Sequence, residues 1–115
     1  MELPKPIQER RRSVRIEELL PLQIGHGDDE IFVTTVNIGY HGALCVLDRD
    51  IRVMTRLRVA LTLPSASAKI TAKGVVIRKE KDAATGKFYV AIYFSDIAPK
   101  DAARLKKYID RRLGR

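Results

Sequence analysis

From Glu18 to Phe94 the apolar residues recur at every second position, in six short runs parted by turn residues, and nothing of helical period interrupts them. Leu20, Leu22 and Ile24 share one face of the first run, Glu18 to Ile24. The second, Glu30 to Val36, is rich in β-branched residues, and the third is Ala43 to Leu47. In the fourth, Arg56 to Leu63, the inward residues are Leu57, Val59, Leu61 and Leu63. Ile70, Ala72, Gly74 and Val76 line the fifth, Lys69 to Lys81, and Phe88, Val90, Ile92 and Phe94 the sixth, which starts at Lys87. Turn signals stand between them: Gly25 to Asp29, Asn37 to Gly42, Asp48 to Asp50, Pro64 to Ser67, and Asp82 to Gly86, whose glycine suits a positive φ. Six consecutive strands with no crossover helix pair antiparallel, and closing the sheet on itself removes both of its edges. The expected fold is all-β, a six-stranded antiparallel barrel.

Only the two ends depart from this pattern. Residues 1–9 hold Pro4 and Pro6 and no apolar period, which predicts a flexible arm, with residues 10–115 as the single domain. At the other end, Ala102, Leu105, Tyr108, Ile109 and Leu113 fall at helical spacing. Pro99 suits the first turn and Gly114 the stop, so a helix is expected over about 98–113. Its apolar face can cover the barrel or meet a second copy, leaving monomer and homodimer both open. The charge follows the same division: residues 1–15 carry a net +3, residues 100–115 a net +5, and the middle sums to zero, for +8 in all. A neutral body with cationic ends fits anion-seeking termini better than a nucleic-acid polymer binder, which is commonly basic over a whole face.

Several function classes find no support in these residues. No apolar run reaches the roughly 20 residues needed to span a bilayer, so no membrane insertion is expected and the protein reads as cytoplasmic. The lone Cys45 lies in an apolar strand and reads as core. His26 and His41 sit in turns with no second ligand at metal spacing, and Asp28, Asp29 and Glu30 form one local acidic turn rather than two facing carboxyls. Neither a catalytic centre, nor a metal site, nor a cofactor is expected.

What the barrel does not explain is Arg10-Arg11-Arg12-Ser13-Val14-Arg15, four guanidiniums in six residues just ahead of the first run. Such a cluster repels itself and gains nothing from a core, which suggests a polyanionic or planar electron-rich partner. About one hairpin further on, Asn37-Ile38-Gly39-Tyr40-His41-Gly42 reads as a tight loop carrying an amide and two glycines, and an arm folded over the barrel mouth brings the arginines to it.

These two stretches resemble the PilZ family, bacterial receptors for cyclic di-GMP, which carries Arg-x-x-x-Arg before its first strand and Asp/Asn-x-Ser-x-x-Gly between its second and third. Arg11 and Arg15 match the first motif; Asn37 and Gly42 match the ends of the second, with Gly39 in place of the serine. Tyr89 to Phe94 is similar to the family's Gly-Val-x-Phe stretch, with Ala91 for glycine. The resemblance implies a PilZ-type barrel and a receptor that changes conformation on binding cyclic di-GMP and signals to a downstream protein. Arg11 and Arg15 would hold phosphate or a guanine edge, Asn37 a guanine edge, and Gly42 would let backbone approach the ligand. Gly39 would offer its N–H where the family has a hydroxyl, and Arg10 is implied to favour an intercalated ligand dimer. Gly39 and Ala91 keep a second reading open, a degenerate PilZ domain that has lost the ligand and acts as an adaptor in pilus or flagellar regulation.

Overall fold

The computed structural model describes residues 14–64 and 69–115. Seven strands are followed by one helix: β1 Arg15–Ile16, β2 Pro21–His26, β3 Asp29–Gly39, β4 Gly42–Leu47, β5 Arg56–Thr62, β6 Lys69–Lys81, β7 Phe88–Ile97 and α1 Pro99–Arg112. The strands run in the order β1-β3-β2-β5-β6-β7-β4, and β3 also pairs with β4. That last pairing closes β2 to β7 into a six-stranded antiparallel barrel. The short β1 is added at the end of β3, a seventh strand that two residues are too few to betray by any periodicity.

The inward residues are those the alternation selects. In β5, Leu57, Val59 and Leu61 are buried while Arg56 and Arg58 face water, and each such side chain contributes roughly 1.5–3 kcal/mol on burial. Leu22, Ile24, Ile70, Val76, Val90 and Ile92 complete the barrel interior. Cys45 belongs to it as well, and burial pushes its thiol up to about 12. Helix α1 has Pro99 in its first turn, Asp101 near its N-terminus, and Arg111 and Arg112 in its last turn, each where the helix dipole favours it. Leu105 and Ile109 are fully buried within this one chain, so the helix covers its own barrel, and it packs on β1 and β6.

Two turn boundaries differ from the sequence reading. Gly25 and His26 extend β2, which leaves Gly27-Asp28 as the turn with Gly27 at φ 60°. The expected loop from Asn37 to Gly42 shrinks to Tyr40-His41, because Asn37, Ile38 and Gly39 continue β3 and Gly42 already opens β4. Neither Gly39 nor Gly42 has positive φ. The Asp82 to Gly86 turn does conform, with Gly86 at φ 77°.

Candidate functional site

The site starts from the alternation of Arg15 and Ile16. Ile16 is buried and pairs with the fully buried Ile38, so Arg15 faces outward and pairs with Gly39. This close approach needs a glycine. A Cβ on residue 39 would stand 2.7 Å from the Val14 carbonyl oxygen and 3.4 Å from Arg15 Cγ, so the arginine side chain crosses the bare backbone of β3. Gly39 pairs in turn with Gly42 across the two-residue turn. A Cβ on Gly42 would overlap the Ile92 carbonyl oxygen of β7. Gly42 is therefore where β4 and β7 meet backbone to backbone, a packing reason for glycine that the motif alone does not disclose.

These approaches leave a pocket of about 200 Å³ on the outside of the barrel. Val14 and Arg15 form one side, the hairpin end from Gly39 to Ala43 the rim, and Ile77, Ala91, Ile92 and Tyr93 the rest. Among the described residues no carboxylate is in its walls, and Arg15 gives it a positive charge. Three of the residues expected to bind ligand, Arg15, Gly39 and Gly42, thus come together. Asn37 does not line the pocket but lies in the same row as one of its walls: a bulge between Thr35 and Asn37 sets it opposite Leu44, which pairs with Ala91. Its side-chain oxygen is buried with no hydrogen-bond partner among the described residues, a polar atom that costs free energy until something donates to it. Arg10 and Arg11, and the arm expected over residues 1–9, lie outside the described residues.

The last turns of α1 hold both sides of this pocket. Glu18, three residues after Arg15, accepts a hydrogen bond from the Tyr108 hydroxyl at 2.8 Å and one from Arg112 Nη2 at 2.6 Å. Burial, together with this acceptor, pushes the Tyr108 phenol up to about 12. On the other side, Tyr40 in the turn donates its hydroxyl proton to Asp110, which Lys106 Nζ also approaches at 2.8 Å. Lys106 lies 5.3 Å over the Tyr40 ring, and Arg115 Nη1 reaches the Tyr40 hydroxyl at 3.3 Å. The bonds from Lys106 and Tyr40 hold the Asp110 carboxyl below its usual range. Between the two sides, buried Thr35 bonds the backbone of the segment that joins β1 to β2: Leu20 N–H donates to Oγ1 at 3.0 Å, and Oγ1 donates to the Glu18 carbonyl at 2.6 Å. Sequence reading missed Glu18, Tyr108, Asp110, Ile77 and Tyr93. Only two carried a signal, Tyr108 as one member of the helix's apolar face and Tyr93 as one residue of the stretch Tyr89 to Phe94.

The PilZ domain family model matches residues 9–111, almost the whole chain. The chain belongs to the PilZ domain family. Among solved structures, the Bacillus subtilis inhibitor of motility MotI/DgrA is similar at 30% identity and a TM-score of 0.81 over 90% of this chain. This chain spans about half the length of that protein, 51%. The PilZ domain of Escherichia coli YcgR with c-di-GMP matches at 16% identity and a TM-score of 0.68, covering 92% of this chain and 95% of that one. Borreliella burgdorferi PlzA in complex with c-di-GMP matches at 16% and 0.61, over 98% of this chain and 58% of that one. At 16% identity these last two speak for the barrel alone. No curated protein is similar enough to the chain to match. Among the described residues, no helix of this PilZ domain is long and apolar enough to cross a membrane, and no three His, Cys, Asp or Glu side chains gather as for a metal ion.

Proposed function

We propose that this PilZ domain is a receptor for cyclic di-GMP, and that binding orders the arginine arm against the barrel and changes the surface offered to a downstream protein. The observation that carries the reading is the pairing of Arg15 with Gly39, which sets the second arginine of one motif against the centre of the other over a single pocket. Cyclic di-GMP presents two phosphates and two guanines, and a guanidinium serves either, bidentate on phosphate oxygens or on the O6/N7 edge. The buried Asn37 oxygen, unpartnered among the described residues, supports the reading, since it offers an acceptor for a guanine N–H. Arg11, and Arg10 before it, supply further cations from the arm. YcgR and PlzA, of the same fold, are both seen with c-di-GMP.

Calorimetric titration with cyclic di-GMP, run on the full chain and on Arg15→Ala, tests this. Loss of charge-assisted bonds of about 1.5–3 kcal/mol predicts Arg15→Ala to bind roughly ten- to a hundredfold more weakly. Absence of heat at tens of micromolar ligand, or equal binding by the two proteins, refutes it.

A second reading, a domain that acts through protein contacts without the ligand, is favoured by one feature. The position where the family has its serine is pressed against the chain's own Val14 carbonyl and has no room for a side chain in this arrangement. The same titration separates the two.

A further inference from the structure

We propose that Tyr93 is a ligand-binding residue, the wall facing Arg15 across a slot that takes one guanine of the dinucleotide. The inference rests on the reading of this pocket as a cyclic di-GMP site. Strand register sets Arg15 beside Gly39, Gly39 beside Gly42, and Gly42 beside Tyr93, so that four neighbouring strands contribute to one row. The two inner members are glycines, and no side chain rises between the outer two. Three inter-strand steps of about 4.8 Å each separate them by roughly 14 Å along the sheet, less on a curved barrel. Two long side chains leaning toward each other reduce such a gap to the thickness of one planar ring.

The surroundings of Tyr93 fit a base rather than a core contact. Tyr93 is 46% exposed although it is aromatic and lines the pocket. Ile77 lines the same pocket at 52% exposure, on the outer face that alternation gives it beside the buried Val76, and the bulge between Val76 and Arg78 turns Arg78 outward as well. An aromatic face and an aliphatic edge opposite a guanidinium make the surface on which a purine stacks while its edge is hydrogen-bonded. At about 200 Å³ the pocket is on the scale of one base.

The strand carries its own control. Tyr89 stands four residues earlier on β7, is 39% exposed, and does not line the pocket. The full-length chain and its Tyr93→Ala, Tyr93→Phe and Tyr89→Ala variants are to be titrated with cyclic di-GMP, with the unfolding midpoint of each recorded. Tyr93→Ala is expected to raise Kd roughly five- to 150-fold, the equivalent of one base–aromatic stack. Tyr93→Phe and Tyr89→Ala are expected to stay within about twofold of the unaltered chain, as stacking needs the ring and not the hydroxyl. The chain has four tyrosines and no tryptophan, so tyrosine emission gives a second readout. Ligand quenches it in the unaltered chain and in Tyr89→Ala, and the quenched fraction drops in Tyr93→Phe although affinity is kept. Equal affinity of Tyr93→Ala and the unaltered chain overturns the assignment, as does an equal loss in Tyr89→Ala. If Arg15→Ala weakens binding and Tyr93→Ala does not, only this inference falls. If the unaltered chain does not bind, both readings fall together.

Discussion

Replacing Thr35 with valine keeps its shape and removes its hydroxyl, which makes it a direct probe of what holds the arginine strand in place. Thr35 is buried, with Oγ1 accepting from Leu20 N–H and donating to the Glu18 carbonyl. Valine leaves both without those partners. The Leu20 N–H bond is fully buried, so its loss costs about 1–3 kcal/mol, whereas the part-buried Glu18 bond belongs at the low end, about 1 kcal/mol. Against these stands the burial of one more methyl group, about 0.8 kcal/mol. The net loss is about 1–3 kcal/mol, which urea unfolding reads as a midpoint lower by roughly 1–2 M. Thr35→Ser keeps both bonds and loses only a buried methyl, about 1 kcal/mol. Because the affected backbone joins β1 to β2, amide exchange at Ile16 and Leu20 should quicken in Thr35→Val more than in β5 or β6. A valine variant within about 0.5 kcal/mol of the unaltered chain, or a serine variant less stable than the valine one, refutes the reasoning.

Two further outcomes follow from the same geometry. Gly39→Ser restores the family serine yet drives a Cβ against the Val14 carbonyl oxygen. It should cost about 1–3 kcal/mol of stability and weaken cyclic di-GMP binding rather than strengthen it, and tighter binding in the titration would contradict the placement of β1. Asp110 has a lowered folded pKa, so its contribution is whole above the unfolded value of about 3.9 and is lost as pH falls through the folded one. Acid unfolding followed by circular dichroism should begin at higher pH in Asp110→Asn, and superimposable profiles would count against the Tyr40–Asp110 link.

The barrel was legible because a closed sheet has a single interior. Every second residue of β5 must enter it, and Leu57, Val59 and Leu61 do. Arg15, Gly39 and Gly42 were also legible as partners, because motif order placed them one hairpin apart. The extent of that hairpin was not. Asn and Gly are the residues of positive-φ turns, and local composition does not distinguish such a glycine from one that clears space for another strand, as Gly39 clears it for Val14 and Arg15. Period two turns Ile77 outward beside the buried Val76, but nothing local tells that this outward residue meets the pocket. The bonds to Glu18 and Tyr40 join residues with no local relation at all.

Those bonds also set the order in which the molecule can be finished. Glu18 is 90 positions from Tyr108 and 94 from Arg112, and Tyr40 is 70 from Asp110. Contacts of such separation form late, after the entropy of closing the intervening chain has been met. On a growing chain, the arginine strand is made well before the helix that anchors it. The pocket is thus a late product of folding: a chain that has closed its barrel but not yet docked its helix has Arg15 without the contacts that hold its strand.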